Sequence, residues 1–199
     1  YTGLFSHRLH QTYQQYQERL RTANAMDFDD LLVNVNTLFD ANPNILEAYQ
    51  HRFRFIHVDE YQDTNHSQYQ FVKKLAARFR NIAVVGDDAQ AIYRFRGADF
   101  QNILNYEKDW PDARVIVLDQ NYRSTQNVLD AASAVIAHNT LQKKKQLWTD
   151  AKTGEPLVVA ALDNEYKEAE FVLQQIRAFI NEGSKLNDMV ILYRTNAQS

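Results

Sequence analysis

The chain has 199 residues, of which 45% are hydrophobic, and a formal net charge of −3. This length is sufficient for one large domain or two small ones, and the lack of cysteine excludes disulfides and thiolate metal sites. No apolar stretch is long enough to span a bilayer, so we expect a cytoplasmic protein without a membrane partner.

Two helices are predicted at the start of the chain. The first covers residues 5–24 and has apolar residues at helical spacing, namely Leu9, Tyr13, Tyr16 and Leu20. The second runs from Asp27 to Phe39, with Asp27 as its N-cap and Asp30 at the third helical position. The following Asn42-Pro43-Asn44 predicts a break.

Five short apolar runs come next, and each ends in polar or acidic residues. They are continuous rather than alternating, as expected for parallel strands that are covered on both faces. The runs are Phe53–Val58, Ile82–Val85, Val115–Leu118, Leu157–Ala161 and Met189–Tyr193. Helices are predicted at 67–79, 100–108, 125–139 and 166–182. The alternation predicts an α/β fold with a mostly parallel sheet, and the turn at 110–112 predicts a domain division.

The first strand delivers two adjacent carboxylates, Asp59 and Glu60, to its carboxyl end, where ligands bind in open α/β sheets. This pair suits chemistry on a nucleotide with Mg²⁺, because one carboxylate can hold the metal and the other can orient or deprotonate a water. Taken alone, an isolated Asp-Glu pair is more often an ordinary acidic turn after a strand, so the pair by itself decides nothing.

Two further strand ends have side chains of interest. Gly86 permits a close backbone approach, and Gln90 can bond a phosphate oxygen or a water. Beyond it, Tyr93, Phe95 and Arg96 combine stacking rings with a cation, as single-stranded nucleic-acid binders do. After the third run, Arg123 is placed to act as an arginine finger and Tyr122 to stack on a base. A partly buried aromatic loop and an ordinary surface arginine are the structural alternatives.

Five strings together resemble superfamily 1 DNA helicases of the UvrD/PcrA/Rep type. They are DFDDLL (27–32), VDEYQDTN (58–65), VVGDDAQAIYRFRGAD (84–99), LDQNYRST (118–125) and ILYRTNAQS (191–199). Several motifs in the same order and spacing are far more specific than any one of them. The resemblance implies parts of two RecA-like parallel-sheet domains, the P-loop NTPase fold, which sandwich ATP and move 3′ to 5′ along one DNA strand.

The resemblance also implies a role for each matching residue. Asp59 is expected to bind Mg²⁺, Glu60 to be the catalytic base, Gln90 to sense the γ-phosphate, Arg123 to be the finger and Tyr122 to stack on adenine. Gln62 and Asp63 are expected to couple hydrolysis to movement. The expected DNA-binding residues are Phe28, Tyr93, Phe95, Arg96 and Asn196.

The sequence departs from the family pattern in three places. Residues 87–90 read Asp-Asp-Ala-Gln where many relatives have Asp-Ala-Asp-Gln. Phe95 stands where Trp is frequent, and its ring offers less stacking area than that of Trp. None of the five glycines begins the phosphate-loop motif G-x-x-x-x-G-K-[ST]. We therefore expect an internal segment of a helicase that is inactive by itself.

By the same resemblance, residues 1–24 are a helical remnant of the first accessory domain. Residues 25–112 are the later half of the first RecA-like domain, and 113–199 the opening part of the second. Incomplete sheets expose edges and apolar surface, so self-association is expected. Two alternatives stay open: a non-catalytic module that binds single-stranded DNA, and part of a helicase-nuclease.

Overall fold

A computed structural model describes residues 2–143 and 145–196. The chain forms two compact units. The first extends up to Asn121 and includes Ala131–Trp148, and the second contains Tyr122–Asp130 and the chain from Thr149 onward. Three residues of the last motif, Ala197, Gln198 and Ser199, lie outside the described residues, as do Tyr1 and Lys144.

Both predicted N-terminal helices are confirmed. Helix α1 spans Thr2–Thr22 and helix α2 spans Phe28–Ala41. The predicted cap of α2 is present as a capping box: the Asp27 carboxylate accepts from the Asp30 N–H, at 2.9 Å, and the Asp30 carboxylate accepts from the Asp27 N–H, at 3.2 Å. This reciprocal pair satisfies two backbone donors that a helix start otherwise leaves unpaired, so α2 begins sharply at Phe28.

A third helix, α3, spans Pro43–Arg52 and was not predicted. The break predicted at Pro43 is wrong: this proline occupies the first turn of α3, where no hydrogen-bond donor is needed and its fixed φ favours the helix. Helix α4 spans His66–Ala76, close to its predicted range. The three helices α2, α3 and α4 contact one another and bury Phe39, Leu75 and Ala76.

The sheet contains two parallel strands in the described part of the chain. Strand β1 spans Ile56–Val58, strand β2 spans Ile82–Val84, and Ile56 is paired with Ile82 in their register. Helix α4 forms the crossover between them, as a parallel pair requires. The fold is therefore a mixture of helices with a small parallel sheet.

The other three predicted strands are not formed. Residues 115–118, 157–161 and 189–193 have no strand in the structure, and only an isolated bridge, Gln120 to Trp148, follows the first of these runs. Most of their apolar side chains are exposed, and Val159 is 96% exposed. A continuous apolar run forms a parallel strand where neighbours cover both faces, and these runs have no such cover here.

The remaining helices lie close to their predicted positions. The predicted helix at 100–108 is divided at Asn105 into α5 (Gln101–Leu104) and α6 (Tyr106–Asp109). Helix α7 spans Gln126–Ile136 and α8 spans Glu165–Asn181. No helix in the described ranges is both long and apolar enough to cross a membrane.

Helix α6 is joined to α4 by polar side chains. Lys73 donates to Asp109 at 2.6 Å, and the Tyr69 hydroxyl donates to the same carboxylate at 2.7 Å. Burial opposes ionisation of Asp109, but these two donors outweigh it and hold the pKa of this carboxyl below its usual range. The network holds α6 against α4.

Candidate functional site

The carboxyl ends of the two parallel strands lie at the same edge of the sheet, so the loops that follow them begin side by side. Backbone bonds continue beyond the strands: the Val85 N–H donates to the Val58 carbonyl at 2.8 Å, and the Tyr61 N–H donates to the Val85 carbonyl at 2.9 Å. The loop after β1, with the Asp59-Glu60 pair, is thereby held beside the loop after β2, which begins at Gly86.

The Asp59-Glu60 pair lies at a distorted turn with both side chains exposed. Glu60 has φ 49° and ψ 44°, the left-handed region that residues with a side chain rarely adopt. The Asp59 carboxylate accepts from the Glu60 N–H at 2.9 Å. A strained backbone persists only where the surrounding structure holds it in place, and such positions are concentrated at functional sites.

Gln62 joins the two loops. Its side chain is 1% exposed, its Nε2 donates to Glu60 Oε2 at 2.8 Å, and its Oε1 accepts from the Asp87 N–H at 3.0 Å. A buried amide that uses both of its ends in this way fixes the distance between its partners. The sequence placed Gln62 in the right motif but gave no indication of these two partners.

Gly86 is required because of Gln62. A Cβ atom at Gly86 would lie 2.5 Å from Gln62 Oε1 and 2.8 Å from Ile103 Cδ1, both far inside contact distance. The absence of a side chain at Gly86 therefore lets the Gln62 amide approach the backbone of the β2 loop. The close approach predicted for this glycine is to the protein's own side chain.

Asp87 holds the side chain of Gln90. One carboxylate oxygen accepts from Gln90 Nε2 at 3.0 Å, and the other accepts from the Ala89 N–H at 2.9 Å and from Lys145 Nζ. Burial opposes the ionisation of Asp87, but the donors from Lys145 and Gln90 prevail and lower the pKa of the carboxyl. Sequence analysis missed the contribution of both Asp87 and Lys145.

Asp63 is placed beside this network. Its Oδ1 is buried and has no hydrogen-bond partner among the described residues. Burial, and after it the negative charge of Glu60, raises the pKa of the Asp63 carboxyl. The two residues predicted to act together thus have different environments. Gln62 joins the two loops, and Asp63 is held in a site that disfavours its charge.

The structure brings three of the predicted DNA-binding residues together. The rings of Tyr93 and Phe95 have centroids 6.0 Å apart, and the Arg96 guanidinium lies 5.4 Å from the first and 5.6 Å from the second. All three side chains are exposed. Stacking surfaces and a cation thus occupy one short loop, which is the combination that single-stranded nucleic acid requires.

Phe28 lies apart from this cluster in the sequence, as the first residue of α2. Its side chain is 90% exposed, and no ring pair between Phe28 and either Tyr93 or Phe95 occurs in the described part of the chain. The capping box at Asp27 keeps this ring at a defined helix start. Phe28 is therefore an exposed, well-positioned ring, but the structure does not join it to the cluster.

Tyr122, Arg123 and Asn196 belong to the second compact unit. All three are exposed, and each makes a polar or ring contact within the structure. Tyr122 and Arg123 come shortly before α7, and Asn196 comes after the unpaired run at 189–193.

The described residues contain no group of three or more His, Asp or Glu side chains that could hold a metal ion unaided. The exposed Asp59 carboxylate nevertheless suits Mg²⁺, which binds proteins through one or two carboxylates and completes its shell with phosphates and waters. The donor set at the sheet edge thus fits a metal that arrives with a nucleotide.

Comparison with known proteins assigns the two halves of the chain to related models. The model of the UvrD/REP helicase N-terminal domain matches residues 2–111, and that of the UvrD-like helicase C-terminal domain matches residues 116–199.

Curated relatives agree with these matches. The ATP-dependent DNA helicase PcrA of Bacillus subtilis is 50% identical over 198 residues, which is 99% of this chain and 27% of the relative. The protein of the same name from Staphylococcus aureus (strain Mu50) is 52% identical over 187 residues, or 94% of this chain and 26% of the relative. The chain thus spans about a quarter of the length of these relatives. The resemblance inferred from the motifs is confirmed, and the chain belongs to the UvrD/REP helicase family.

Proposed function

We propose that this chain is a segment of an ATP-dependent DNA helicase that couples ATP hydrolysis to 3′-to-5′ movement on single-stranded DNA, in repair or replication. The observation that carries the proposal is the double hydrogen bond of Gln62. It connects Glu60 to Asp87, and Asp87 in turn holds Gln90. A continuous path of this kind suits a site in which hydrolysis and nucleotide sensing must act together.

In the proposed nucleotide site, Asp59 binds the Mg²⁺ that accompanies ATP, and Glu60 activates the attacking water. Gln90 bonds the γ-phosphate, Arg123 stabilises the charge that develops during transfer, and Tyr122 stacks on adenine. The Mg²⁺ neutralises phosphate charge when it is bound. The exposure of Asp59 and Glu60 supports these roles, because both carboxylates are accessible to a ligand.

In the proposed DNA site, the cluster of Tyr93, Phe95 and Arg96 stacks bases and contacts the backbone, with Phe28 and Asn196 as further contacts. Gln62 and Asp63 transmit the state of the nucleotide site. The cluster follows Gln90 by only a few residues, so a movement of the Asp87–Gln90 loop would reach it along the chain.

We further propose that the chain comprises parts of two RecA-like domains of the P-loop NTPase fold. The boundaries are residues 1–24 for an accessory remnant, 25–112 for the first domain and 113–199 for the second. The change from one family model to the other between residues 111 and 116 supports the second boundary. The parallel pairing of β1 with β2 supports the first domain.

The test uses the complete gene product that carries this sequence. Glu60→Gln is expected to lower DNA-stimulated ATP hydrolysis by at least about 100-fold, because it removes the general base. The binding of Mg²⁺-ATP should be retained, since the amide preserves shape. Glu47→Gln, at an exposed glutamate of α3, is the matched control and should hydrolyse ATP at the normal rate. Normal hydrolysis by Glu60→Gln would exclude the proposed site.

A second measurement tests the 199-residue chain by itself. The 199-residue chain contains no phosphate-loop motif, so we expect no hydrolysis from it above the level of its Glu60→Gln variant. The exposed cluster leads us to expect salt-dependent binding of single-stranded DNA that does not require ATP. Hydrolysis by the 199-residue chain alone would contradict the expected inactivity.

A further inference from the structure

A short basic segment after α7 packs against the loop that follows β2. The Lys143 N–H donates to Asp88 Oδ2 at 2.9 Å, and the Lys143 ammonium donates to Glu107. The Lys145 ammonium donates to Asp87 Oδ1 and lies 3.8 Å from Asp88 Oδ1. Both the segment and the loop belong to the first compact unit. These contacts place Lys145 at the acidic end of the loop.

The ion pair between Lys145 and Asp87 differs from an ordinary surface pair. The two side chains are 23% and 26% exposed, whereas those of the pair Lys167 and Glu170 on α8 are 57% and 60% exposed. An exposed pair contributes little, because water and salt screen it and its side chains are mobile. A partly buried pair is screened less than an exposed one, so the removal of one partner has larger consequences.

The carboxylate of Asp87 determines how the Gln90 amide is oriented. A carboxylate accepts hydrogen bonds, so it selects the Nε2 end of the amide rather than Oε1. The nitrogen has two N–H groups and uses one for Asp87. Its second N–H is then available to an anionic oxygen. A glutamine without this partner is free to rotate and to present its carbonyl oxygen, which repels a phosphate.

The two partners of the ion pair come from different parts of the sequence. Asp87 lies in the part that matches the helicase N-terminal domain, and Lys145 in the part that matches the C-terminal domain. The position of Lys145 therefore links Gln90 to the segment that follows α7. This arrangement makes the orientation of Gln90 dependent on residues well beyond its own loop.

We propose that Lys145 is a positioning residue of the nucleotide site: by fixing the Asp87 carboxylate, it holds the Gln90 amide with an N–H directed to the terminal phosphate of a nucleoside triphosphate. The proposal rests on the proposed function, because it assumes that Gln90 senses this phosphate. Lys145 need not touch the nucleotide. Its effect passes through Asp87 and is specific for the phosphate that distinguishes a triphosphate from a diphosphate.

The experiment compares the binding of ATPγS and of ADP, both with Mg²⁺, to the complete gene product. Lys145→Met is expected to weaken the binding of ATPγS about ten-fold, the effect of one misplaced charge-assisted hydrogen bond, while the affinity for ADP stays the same. Lys145→Arg keeps the cation and should restore most of the preference for ATPγS. Lys167→Met removes a lysine from an exposed pair and serves as the matched control.

Each outcome has a distinct meaning. An equal loss of ATPγS and ADP binding in Lys145→Met would show a merely structural role and overturn the proposal. An unchanged preference for ATPγS would also overturn it. Gln90→Ala tests the proposed function separately: if it retains full preference for ATPγS, then Gln90 is no sensor, whatever Lys145 does. If Gln90→Ala loses the preference and Lys145→Met keeps it, only the inference on Lys145 fails.

Discussion

Both compact units contain continuous apolar runs, but within the described residues only two of them, both in the first unit, pair into a sheet, while the run at 115–118 of the same unit stays without a strand. Residues 56–58 and 82–84 are hydrogen-bonded in register, whereas 157–161 and 189–193 of the second unit have no strand. The runs are similar in length and composition. Their local sequence therefore does not decide whether they become strands.

The difference lies in what surrounds each run. In the first unit, α2, α3 and α4 contact one another, and a buried side chain, Gln62, connects the ends of the two strands. In the second unit, α8 has no buried residue, and Val158 and Val159 are almost fully exposed. In β1 and β2 the outer residues of each strand are half-buried and the middle ones, His57 and Ala83, are exposed, so cover on one face is enough for this pair to form.

The largest expected loss of stability comes from a charge placed in a paired run, and the same charge in an unpaired run provides the contrast. Val84→Asp in β2 puts a carboxylate into a half-buried ladder and should lower the free energy of unfolding of the chain by about 3 kcal/mol. Val159→Asp, at a 96% exposed position, should change it by less than about 0.5 kcal/mol. Urea denaturation of the 199-residue chain measures both.

The same pair of variants sharpens the comparison in the complete gene product. If the proposed second RecA-like domain is complete there, then Val159 lies in a covered strand and Val159→Asp becomes strongly destabilising. An equally small effect in both contexts would contradict the proposed strand at 157–161. A small effect of Val84→Asp would mean that the β1–β2 pairing contributes little to stability.

The second expected effect is a dependence of stability on alkaline pH, which a buried tyrosine in the loop after β1 causes and an exposed tyrosine does not. Burial, followed by the negative charges of nearby groups, raises the pKa of Tyr61 to about 12. The unfolded state loses this proton near pH 10, so stability is full below that pH and declines as the pH rises toward 12. The slope is about 1.4 kcal/mol for each pH unit.

Tyr61→Phe should make this alkaline decline shallower when urea denaturation is repeated between pH 9 and pH 12. Burial also raises the pKa of Tyr69 and Tyr106, so part of the decline should remain. Tyr166→Phe, at an exposed tyrosine of α8, retains Tyr61 and should leave the decline in place. A decline that is identical with and without Tyr61 would contradict this account.

The smallest expected effect contrasts two glycines of the loop after β2. Gly86→Ala must displace the Gln62 amide, so it should lower stability by about 2 kcal/mol and break the bond to the Asp87 N–H. Gly97 has φ 82° and open space around it, so Gly97→Ala incurs only backbone strain of about 1 kcal/mol. Thermal unfolding measures both, and equal losses would argue against close packing at Gly86.

Much of the helical structure could be predicted because its signals are local. The Asp27–Asp30 capping box needs only residues three apart, and it is present as predicted. Helix α3 was missed because a proline marks both a break and a first turn, and only the following contacts decide between them. The three unformed strands show the opposite error, since their apolar composition was correct but their partners were not visible locally.

The candidate site follows the same division. Predicted strand ends indicated Asp59, Glu60 and Gln90, and the family resemblance added Gln62. The partners of Gln62 and the pairing of Lys145 with Asp87 join residues far apart in the sequence. Nothing local in the sequence indicates which carboxylate Lys145 meets.

The left-handed backbone of Glu60 and the hydrogen bond that its carboxylate accepts from Gln62 act in opposite directions on stability. A glutamate in this conformation costs about 1 to 2 kcal/mol that a glycine avoids. Glu60→Gly would relieve this strain, but it would also leave the buried Nε2 of Gln62 without its carboxylate acceptor, which costs about 1 to 3 kcal/mol. The conformation of Glu60 is therefore tied to the packing of Gln62 between the two loops.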